Sequence, residues 1–173
     1  MTIRFIAYLS IILGCGYIGL YMASAIDKRI KQLVGFENMV KQLSFNIGFL
    51  SLPIRDAIYK ASETQEGTIK KIAENVSGIM LGRPDVTMQY AWGCAIKNYK
   101  DSLYLKESEI MILEDFSVNI GSGGKEETLD CLKATSAKLH LAIDSARSEQ
   151  LKDGKLYKGI GFLTGMLIVI LLF

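Results

Sequence analysis

The chain has 173 residues, of which 50% are hydrophobic and 22% are charged. Lys and Arg number 20 against 18 Asp and Glu, and a formal net charge of only +2 argues against a nucleic-acid-binding protein. The apolar content excludes a disordered chain, and the scarcity of proline and of short β-branched runs disfavours an all-β fold. These properties predict an all-α protein.

The hydrophobic residues are concentrated at the two ends of the chain. Residues 5–26 contain no charged residue, Asn, Gln or Pro. A helix of about 22 residues is ~33 Å long, enough for a bilayer core of about 30 Å. Residues 156–173 are apolar except near their start, where the ammonium of Lys158 can reach the membrane interface. We therefore predict transmembrane helices at 5–26 and 156–173, on either side of a central segment, 27–155.

Basic residues flank the central segment on both sides. They are Lys28, Arg29 and Lys31 after the first apolar run and Lys152, Lys155 and Lys158 before the second. Because Lys and Arg are enriched on the cytoplasmic side of membrane helices, we expect the central segment to be cytoplasmic.

The first apolar run has three alternative interpretations. One of them, a buried core helix, is disfavoured by the length of an uncharged run in a chain of 173 residues. A cleaved signal peptide would use Arg4 as its basic region and the small residues 23–25 as its cleavage site, although the run is longer than a usual signal core. A lipoprotein signal would end before Cys15, but the residues that follow Cys15 are still apolar rather than a polar tether.

The central segment has apolar residues at steps of three and four, which predicts about six helices. We expect the first helix to run from the membrane to near Pro53, where a second begins. A third follows the polar residues 63–67, a fourth follows 82–85, and a fifth covers about 106–120, with Trp92 in the core. The last helix begins near Lys125 and is the predicted antiparallel partner of the first. The expected architecture is thus a cytoplasmic antiparallel bundle whose first and last helices extend into the membrane.

The sequence offers no recognisable catalytic, cofactor or metal site. Residues 121–125 resemble a phosphate-binding loop, but Asn119, Glu126 and a preceding helix do not fit the nucleotide motif. His140 is the only histidine, which excludes a site with two His ligands. The three cysteines lack metal or redox spacing and are expected to be small buried residues. We therefore expect neither enzymatic activity nor a cofactor.

Carboxylates recur along the predicted helices, and their spacing indicates solvated faces. They are Glu107, Glu109, Glu114, Asp115, Glu126 and Glu127. Among them, Glu114 and Asp115 are a candidate partner-binding face.

Small residues are paired in both apolar ends. Gly19 with Ala23 and Gly161 with Gly165 have the small-xxx-small spacing that lets membrane helices approach closely. Mutual packing of the two helices and self-association are both consistent with these pairs, and so is the general abundance of glycine in membrane helices.

Several motifs, in order along the chain, resemble the stage III sporulation protein AB family. The segment from Lys158 to Gly165, followed by the apolar residues 166–173, resembles the family's C-terminus. Residues 105–109, with the apolar positions that follow up to 120–121, resemble its helix before the last turn, and Leu52-Pro53-Ile54 with Ala57 its early turn. The resemblance covers essentially the whole chain.

The resemblance implies a role in endospore formation. The family is distantly similar to the inner-membrane platform protein of type II secretion and type IV pilus machines. It implies a location in the mother-cell membrane around the forespore, in a channel complex, with a secretion-type ATPase and other membrane subunits as partners. The secretion platforms tend to have an Asp and later a Gln after the turn glycine, where this chain has 122–126, so we carry no binding residue across from that turn.

We therefore interpret the chain as a non-enzymatic platform or assembly subunit. Two alternatives belong to other classes. One is an extracytoplasmic binding module behind a signal peptide. The other is a small membrane transport component, which would need ionisable groups within the apolar runs, and residues 5–26 and 159–173 contain no Asp, Glu, Lys, Arg or His.

Overall fold

The structure, a computed structural model, describes the backbone of residues 2–83, 85–120 and 123–172. Side chains are described for residues 14, 16–17, 21–83, 85–120, 123–152, 163, 166 and 168–169. Within these ranges the chain forms six α-helices, one short 3₁₀ turn and no strand. The helices are α1 (Thr2–Gly48), α2 (Ile54–Glu63), α3 (Gly67–Gly82), α4 (Met88–Asn98), α5 (Glu107–Asn119) and α6 (Lys125–Leu172), and the 3₁₀ turn is Lys100–Ser102. The prediction of an all-α fold with about six helices is confirmed.

The chain divides into two compact units. One comprises Met1–Ile30 and Ser145–Phe173, and the other comprises Lys31–Asp144. The predicted transmembrane segments, 5–26 and 156–173, belong to the first unit, and most of their side chains lie outside the described residues. In the part of the chain that the structure describes, no helix has a run both long and apolar enough to cross a membrane.

In the first unit, α1 and α6 are joined by polar contacts. Arg29 forms an ion pair with Glu149 at 2.5 Å, and its side chain is only 8% exposed. Two residues earlier in α1, Asp27 accepts a hydrogen bond from the Gln150 amide. Arg29 therefore contributes to the pairing of α1 with α6. It is also one of the basic residues that flank the first apolar run.

The core of the second unit is centred on three aromatic side chains. Trp92 of α4 lies between Phe36 of α1 and Phe116 of α5. Its ring centroid is 6.4 Å from that of Phe36 and 5.4 Å from that of Phe116. The pair with Phe116 has edge-to-face geometry, which aromatic quadrupoles favour. All three side chains are buried, so the expected core position of Trp92 is confirmed.

The first helix ends earlier than its apolar pattern predicts. It stops at Gly48 rather than near Pro53, and Ser51 in the connection has a left-handed backbone with φ of 52°. The buried amide of Asn46 donates a hydrogen bond to the carbonyl of Ala57 in α2, at 3.0 Å. This contact connects the end of α1 to the start of α2, which begins after Pro53 as predicted.

Gly35 in α1 is a point of close helix approach. A Cβ atom at this position would lie 3.0 Å from Cγ1 of Ile69 in α3, and Ile69 is buried. The glycine thus lets α3 approach the backbone of α1.

A few apolar residues that the helical period places inward lie at the margin of the core. Met80 is buried at the end of α3, and the neighbouring Ile79 is only half-buried and borders a surface groove. Ile54, Tyr99 and Ile110 are also only half-buried, although the helical period places them inward. An apolar stripe broader than the buried face explains these differences, because its edge positions still meet solvent.

Polar side chains organise the connection between α4 and α5. The buried amide of Gln32 in α1 donates to the carbonyl of Ser102 at 2.7 Å and accepts from the backbone N–H of Tyr104 at 2.8 Å. Glu109 accepts a hydrogen bond from the backbone N–H of Lys106 at 2.8 Å and is only 3% exposed. The expectation of a solvated Glu109 is therefore wrong, because its carboxylate caps the first turn of α5.

Candidate partner-binding surfaces

The candidate face on α5 is exposed. Glu114 and Asp115 point away from the core between the buried residues Leu113 and Phe116. Asp115 forms an ion pair with Lys138 of α6 at 3.4 Å, and both side chains are more than half exposed. Their role in partner binding stays a prediction.

Asp115 borders a groove of about 370 Å³ between α5 and α6, which we call the acidic groove. Its lining residues are Asp115, Phe116, Asn119, Glu127, Asp130, Cys131, Ala134, Thr135 and Lys138. Three of these are carboxylates and Lys138 is the one cation among them. Glu127 and Asp130 could not be grouped with Asp115 from the sequence, because only the packing of α5 against α6 brings them together.

The glycine-rich turn before α6 is closely covered by a side chain of its own helix. A Cβ atom on Gly123 would lie 2.9 Å from Cβ of Glu127, and one on Gly124 would lie 2.7 Å from its Oε2. The Glu127 side chain therefore occupies the space over these two glycines. Residues 121 and 122 of the turn lie outside the described part of the chain.

Cys131 lies at the floor of the acidic groove and is half-buried. Burial raises the pKa of its thiol, and the Thr135 hydrogen bond and the charge of Lys138 act in the opposite direction. Cys94 of α4 is likewise half-buried, so neither thiol is as fully buried as the sequence suggested. Cys15 lies outside the described side chains.

A second groove, of about 400 Å³, follows the seam between α1 and α6 within the unit of residues 31–144. The buried carboxylate of Glu37 lies 2.9 Å from Nζ of Lys41 and 3.3 Å from Nδ1 of His140. The other ring nitrogen of His140 lies 3.8 Å from Asp144. His140 thus lies on the surface between two carboxylates, and the charges of this seam are balanced within the bundle.

Of the small residues predicted to pack between membrane helices, one has a described side chain. Ala23 is buried in α1, with 7% of its surface exposed. Gly19, Gly161 and Gly165 lie outside the residues whose side chains are described. Helix packing through these two pairs stays a prediction.

No group of three or more His, Cys, Asp or Glu side chains among the described residues has the geometry to hold a metal ion.

The fold and its surfaces define an all-α bundle protein with long first and last helices and charged grooves between neighbouring helices. The chain belongs to the stage III sporulation protein AB family, whose model matches residues 4–173. It is 24% identical over 168 residues to stage III sporulation protein AB of Bacillus subtilis strain 168, and the match covers 94% of each chain.

A solved structure of a stage III sporulation protein AB (SpoIIIAB) has a similar fold. Its TM-score is 0.66 at 19% sequence identity, and the match covers 72% of this chain and 98% of that one. The family resemblance seen in the sequence is thus confirmed, and with it a role in sporulation. The more distant resemblance to secretion platforms stays a prediction.

Proposed function

We propose that this protein is a non-enzymatic platform subunit of the sporulation channel complex that links mother cell and forespore. It holds a secretion-type ATPase at the membrane through the exposed carboxylates of α5 and the acidic groove. The observation that carries the proposal is the convergence of Asp115, Glu127 and Asp130 on one groove, with Glu114 exposed on the same helix. Family membership supplies the sporulation context.

The acidic groove favours a partner with a basic surface. Asp115 pairs with Lys138, and Asp130 pairs with Lys133, which lies outside the groove. Among the described residues, Glu127 is the carboxylate of the groove without an ion pair, and its charge attracts an approaching cationic patch. The Asp115–Lys138 pair is exposed, and such pairs contribute only ~0.2–1 kcal/mol. An arginine of the partner can therefore replace Lys138 beside Asp115 at little cost, and it binds a carboxylate through two parallel hydrogen bonds.

The apolar ends complete the proposed role. Residues 5–26 and 156–173 span the mother-cell membrane around the forespore and contact the other membrane subunits, while residues 27–155 lie in the cytoplasm. The basic residues next to both apolar runs support this orientation. Anchoring at both ends keeps the bundle attached to the membrane of the proposed channel complex.

A binding experiment tests the docking surface. The full chain, purified in detergent, is titrated with the sporulation ATPase of the same bacterium, with and without nucleotide. We expect the double substitution Glu114→Lys/Asp115→Lys to weaken binding by at least about tenfold, because it replaces attraction with repulsion. Glu63→Lys/Glu74→Lys is the control with the same change in charge. Both residues are exposed helical carboxylates outside α5 and α6, and Glu74 pairs with Lys70 of its own helix as Asp115 pairs with Lys138.

The outcomes separate the proposal from its failure. Binding that is lost in the α5 variant and kept in the control supports it. Equal binding by the α5 variant removes the acidic groove from the interface, and no binding by the native chain in any nucleotide state rejects the platform role.

A topology experiment tests the orientation and the extracytoplasmic alternative. The central segment is digested with protease in right-side-out and inverted membrane vesicles, and the N-terminus of the mature chain is sequenced. We expect cleavage only in inverted vesicles and an N-terminus that retains the first apolar run. Cleavage only in right-side-out vesicles, with the first run removed, would instead favour a binding module behind a signal peptide.

A further inference from the structure

Two glycines of α3 have no role in the packing of their own bundle. Gly78 and Gly82 lie one turn apart on the exposed side of the helix, and a Cβ atom on either would meet no heavy atom within 4 Å. Gly78 is inside the helix, where glycine costs about 0.5–1 kcal/mol relative to alanine. Neither has a positive φ angle, so the backbone conformation does not require glycine.

These glycines line a groove between α3 and α4, which we call the basic groove. Its volume is about 580 Å³, and its lining residues are Gly78, Ile79, Gly82, Arg83, Tyr90, Cys94, Lys97 and Asn98. Half-buried Ile79 and Cys94 give it apolar contact surface, and Tyr90 is 53% exposed. It lies wholly within the unit of residues 31–144.

Two cations lie along the basic groove, one on each wall. Arg83 follows the last residue of α3, and Lys97 is in the last turn of α4. Among the described residues, no carboxylate forms an ion pair with either of them, and none lines the groove. The acidic groove, by contrast, contains the lysine that pairs with its own Asp115.

We propose that the basic groove is a docking site for an amphipathic helix of a partner protein with carboxylates at one-turn spacing. A helix packs closely against another only where small residues let the backbones approach, and Gly78 and Gly82 provide one turn of such contact. The apolar face of the partner helix covers Ile79 and Cys94. Its carboxylates pair with Arg83 and Lys97, which supply the charge complementarity.

This site is distinct from the acidic groove in position and in charge. It is formed by α3 and α4 rather than by α5 and α6, and it selects an acidic partner rather than a basic one. The chain can therefore hold two partners of opposite charge at once.

The test uses the full chain in detergent and a fluorescent peptide. The probe is an amphipathic peptide of about 18 residues, ~27 Å long as a helix, built from Ala and Leu with Glu at one-turn intervals and cross-linked across one turn to keep it helical. The control peptide has Lys in place of each Glu. Affinity is read from fluorescence anisotropy, and thermal unfolding of each variant is recorded in parallel.

Two variants remove the proposed contacts. Gly78→Leu places a side chain in the groove, and its Cβ atom meets no heavy atom within 4 Å. It also replaces glycine with a strong helix former, so we expect the melting temperature to stay equal or rise while the Glu peptide loses at least about tenfold in affinity. Lys97→Glu should weaken the same peptide by about tenfold or more.

Each variant has a matched control. Gly93 of α4 is also exposed, has no neighbour within 4 Å and does not line the groove, so Gly93→Leu should change affinity less than about twofold. Lys60 occupies the last turn of α2 as Lys97 does that of α4, so Lys60→Glu repeats the charge change and its effect on the helix end.

The results either support or overturn the proposal. Binding of the Glu peptide that is lost in Gly78→Leu and Lys97→Glu, and kept in both controls, supports it. No binding, equal binding of the Lys peptide, or binding unaffected by the two variants overturns it. Self-association of the chain that Gly78→Leu abolishes would assign the groove to a second copy and would also overturn it. None of these results depends on binding of the ATPase to the acidic groove.

Discussion

The two grooves lie on different helix pairs of the bundle and differ in how their charges are paired. In the acidic groove, Asp115 is paired with Lys138, and the Glu127 side chain covers the glycines that precede α6. In the basic groove, Arg83 and Lys97 have no ion-pair partner among the described residues, and the two glycines are covered by nothing within 4 Å.

Binding at the acidic groove must replace an existing contact, whereas binding at the basic groove only adds contacts. A partner of the acidic groove displaces an existing lysine, which favours specificity and reversibility. A partner of the basic groove forms ion pairs and backbone contacts where none exist. Open glycines that lie in the same groove as unpaired cations therefore favour a surface adapted to something outside the chain, whereas Gly93, which is equally open, lies outside the groove.

The largest expected effect comes from removing the side chain of Trp92, which connects the two grooves. Trp92 joins α4, a wall of the basic groove, to Phe116, which lines the acidic groove. Trp92→Ala should lower the free energy of unfolding by about 3–5 kcal/mol, because it leaves a cavity among three aromatic side chains. Urea denaturation of the full chain in detergent measures this loss.

Trp92→Phe is the control for that substitution. It keeps a ring between Phe36 and Phe116 and removes an indole N–H that has no acceptor among the described residues. We expect less than half the loss of Trp92→Ala. If Trp92→Phe and Trp92→Ala lowered the free energy of unfolding equally, the indole itself, rather than aromatic packing in general, would position α4.

Two glycine substitutions should change the free energy of unfolding in opposite directions. Gly123→Ala places a Cβ atom 2.9 Å from Cβ of Glu127, so it should destabilise the chain by about 1–3 kcal/mol. The Cβ atom added by Gly78→Ala has no heavy atom within 4 Å, so this substitution should stabilise the chain by about 0.5–1 kcal/mol through helix propensity. The same denaturation experiment measures both, and destabilisation by Gly78→Ala would mean that the bundle itself needs this glycine.

A smaller effect is expected from the ion pair at the acidic groove. A double-mutant cycle with Asp115→Ala and Lys138→Ala should give a coupling free energy of about 0.2–1 kcal/mol, since both side chains are more than half exposed. Added salt should reduce it. A coupling of several kcal/mol would contradict the idea that a partner can displace Lys138 easily.

The smallest effect concerns the thiol in the acidic groove. Since burial raises the pKa of Cys131, its alkylation by iodoacetamide should require a higher pH in the folded chain than in urea. The folded state then holds a proton that the unfolded state has lost, so the free energy of unfolding falls as the pH rises above the unfolded thiol pKa, about 8.5. Alkylation rates of a chain with Cys15→Ser and Cys94→Ser, measured against pH, test this, and an equal or lower midpoint in the folded chain would contradict it.

The sequence predicted those parts of the fold that depend on local periodicity. The starts of α2 and α6 and the burial of Trp92 follow from apolar spacing and from Pro53, Lys125 and their neighbours. The early end of α1 did not follow, because it depends on a left-handed Ser51 and on the contact of Asn46 with α2.

The candidate surfaces were less predictable because they also depend on contacts between residues of different helices. Glu114 and Asp115 could be placed on an exposed helical face, but their proximity to Glu127 and Asp130 requires the packing of α5 against α6. The pattern also could not distinguish Glu109, which caps its own helix, from carboxylates in solvent. A glycine that accommodates a neighbouring helix, such as Gly35, and one that faces open space, such as Gly78, look alike in sequence.

The buried amide of Gln32 sets the axial register of α1. The apolar side of this helix repeats every turn, so a slide of about 5.4 Å would match hydrophobic residues to hydrophobic residues again. Gln32 contacts the backbone of both Ser102 and Tyr104, and a slide would break both hydrogen bonds inside the bundle. The amide therefore favours a single alignment, as single buried polar groups do in coiled coils.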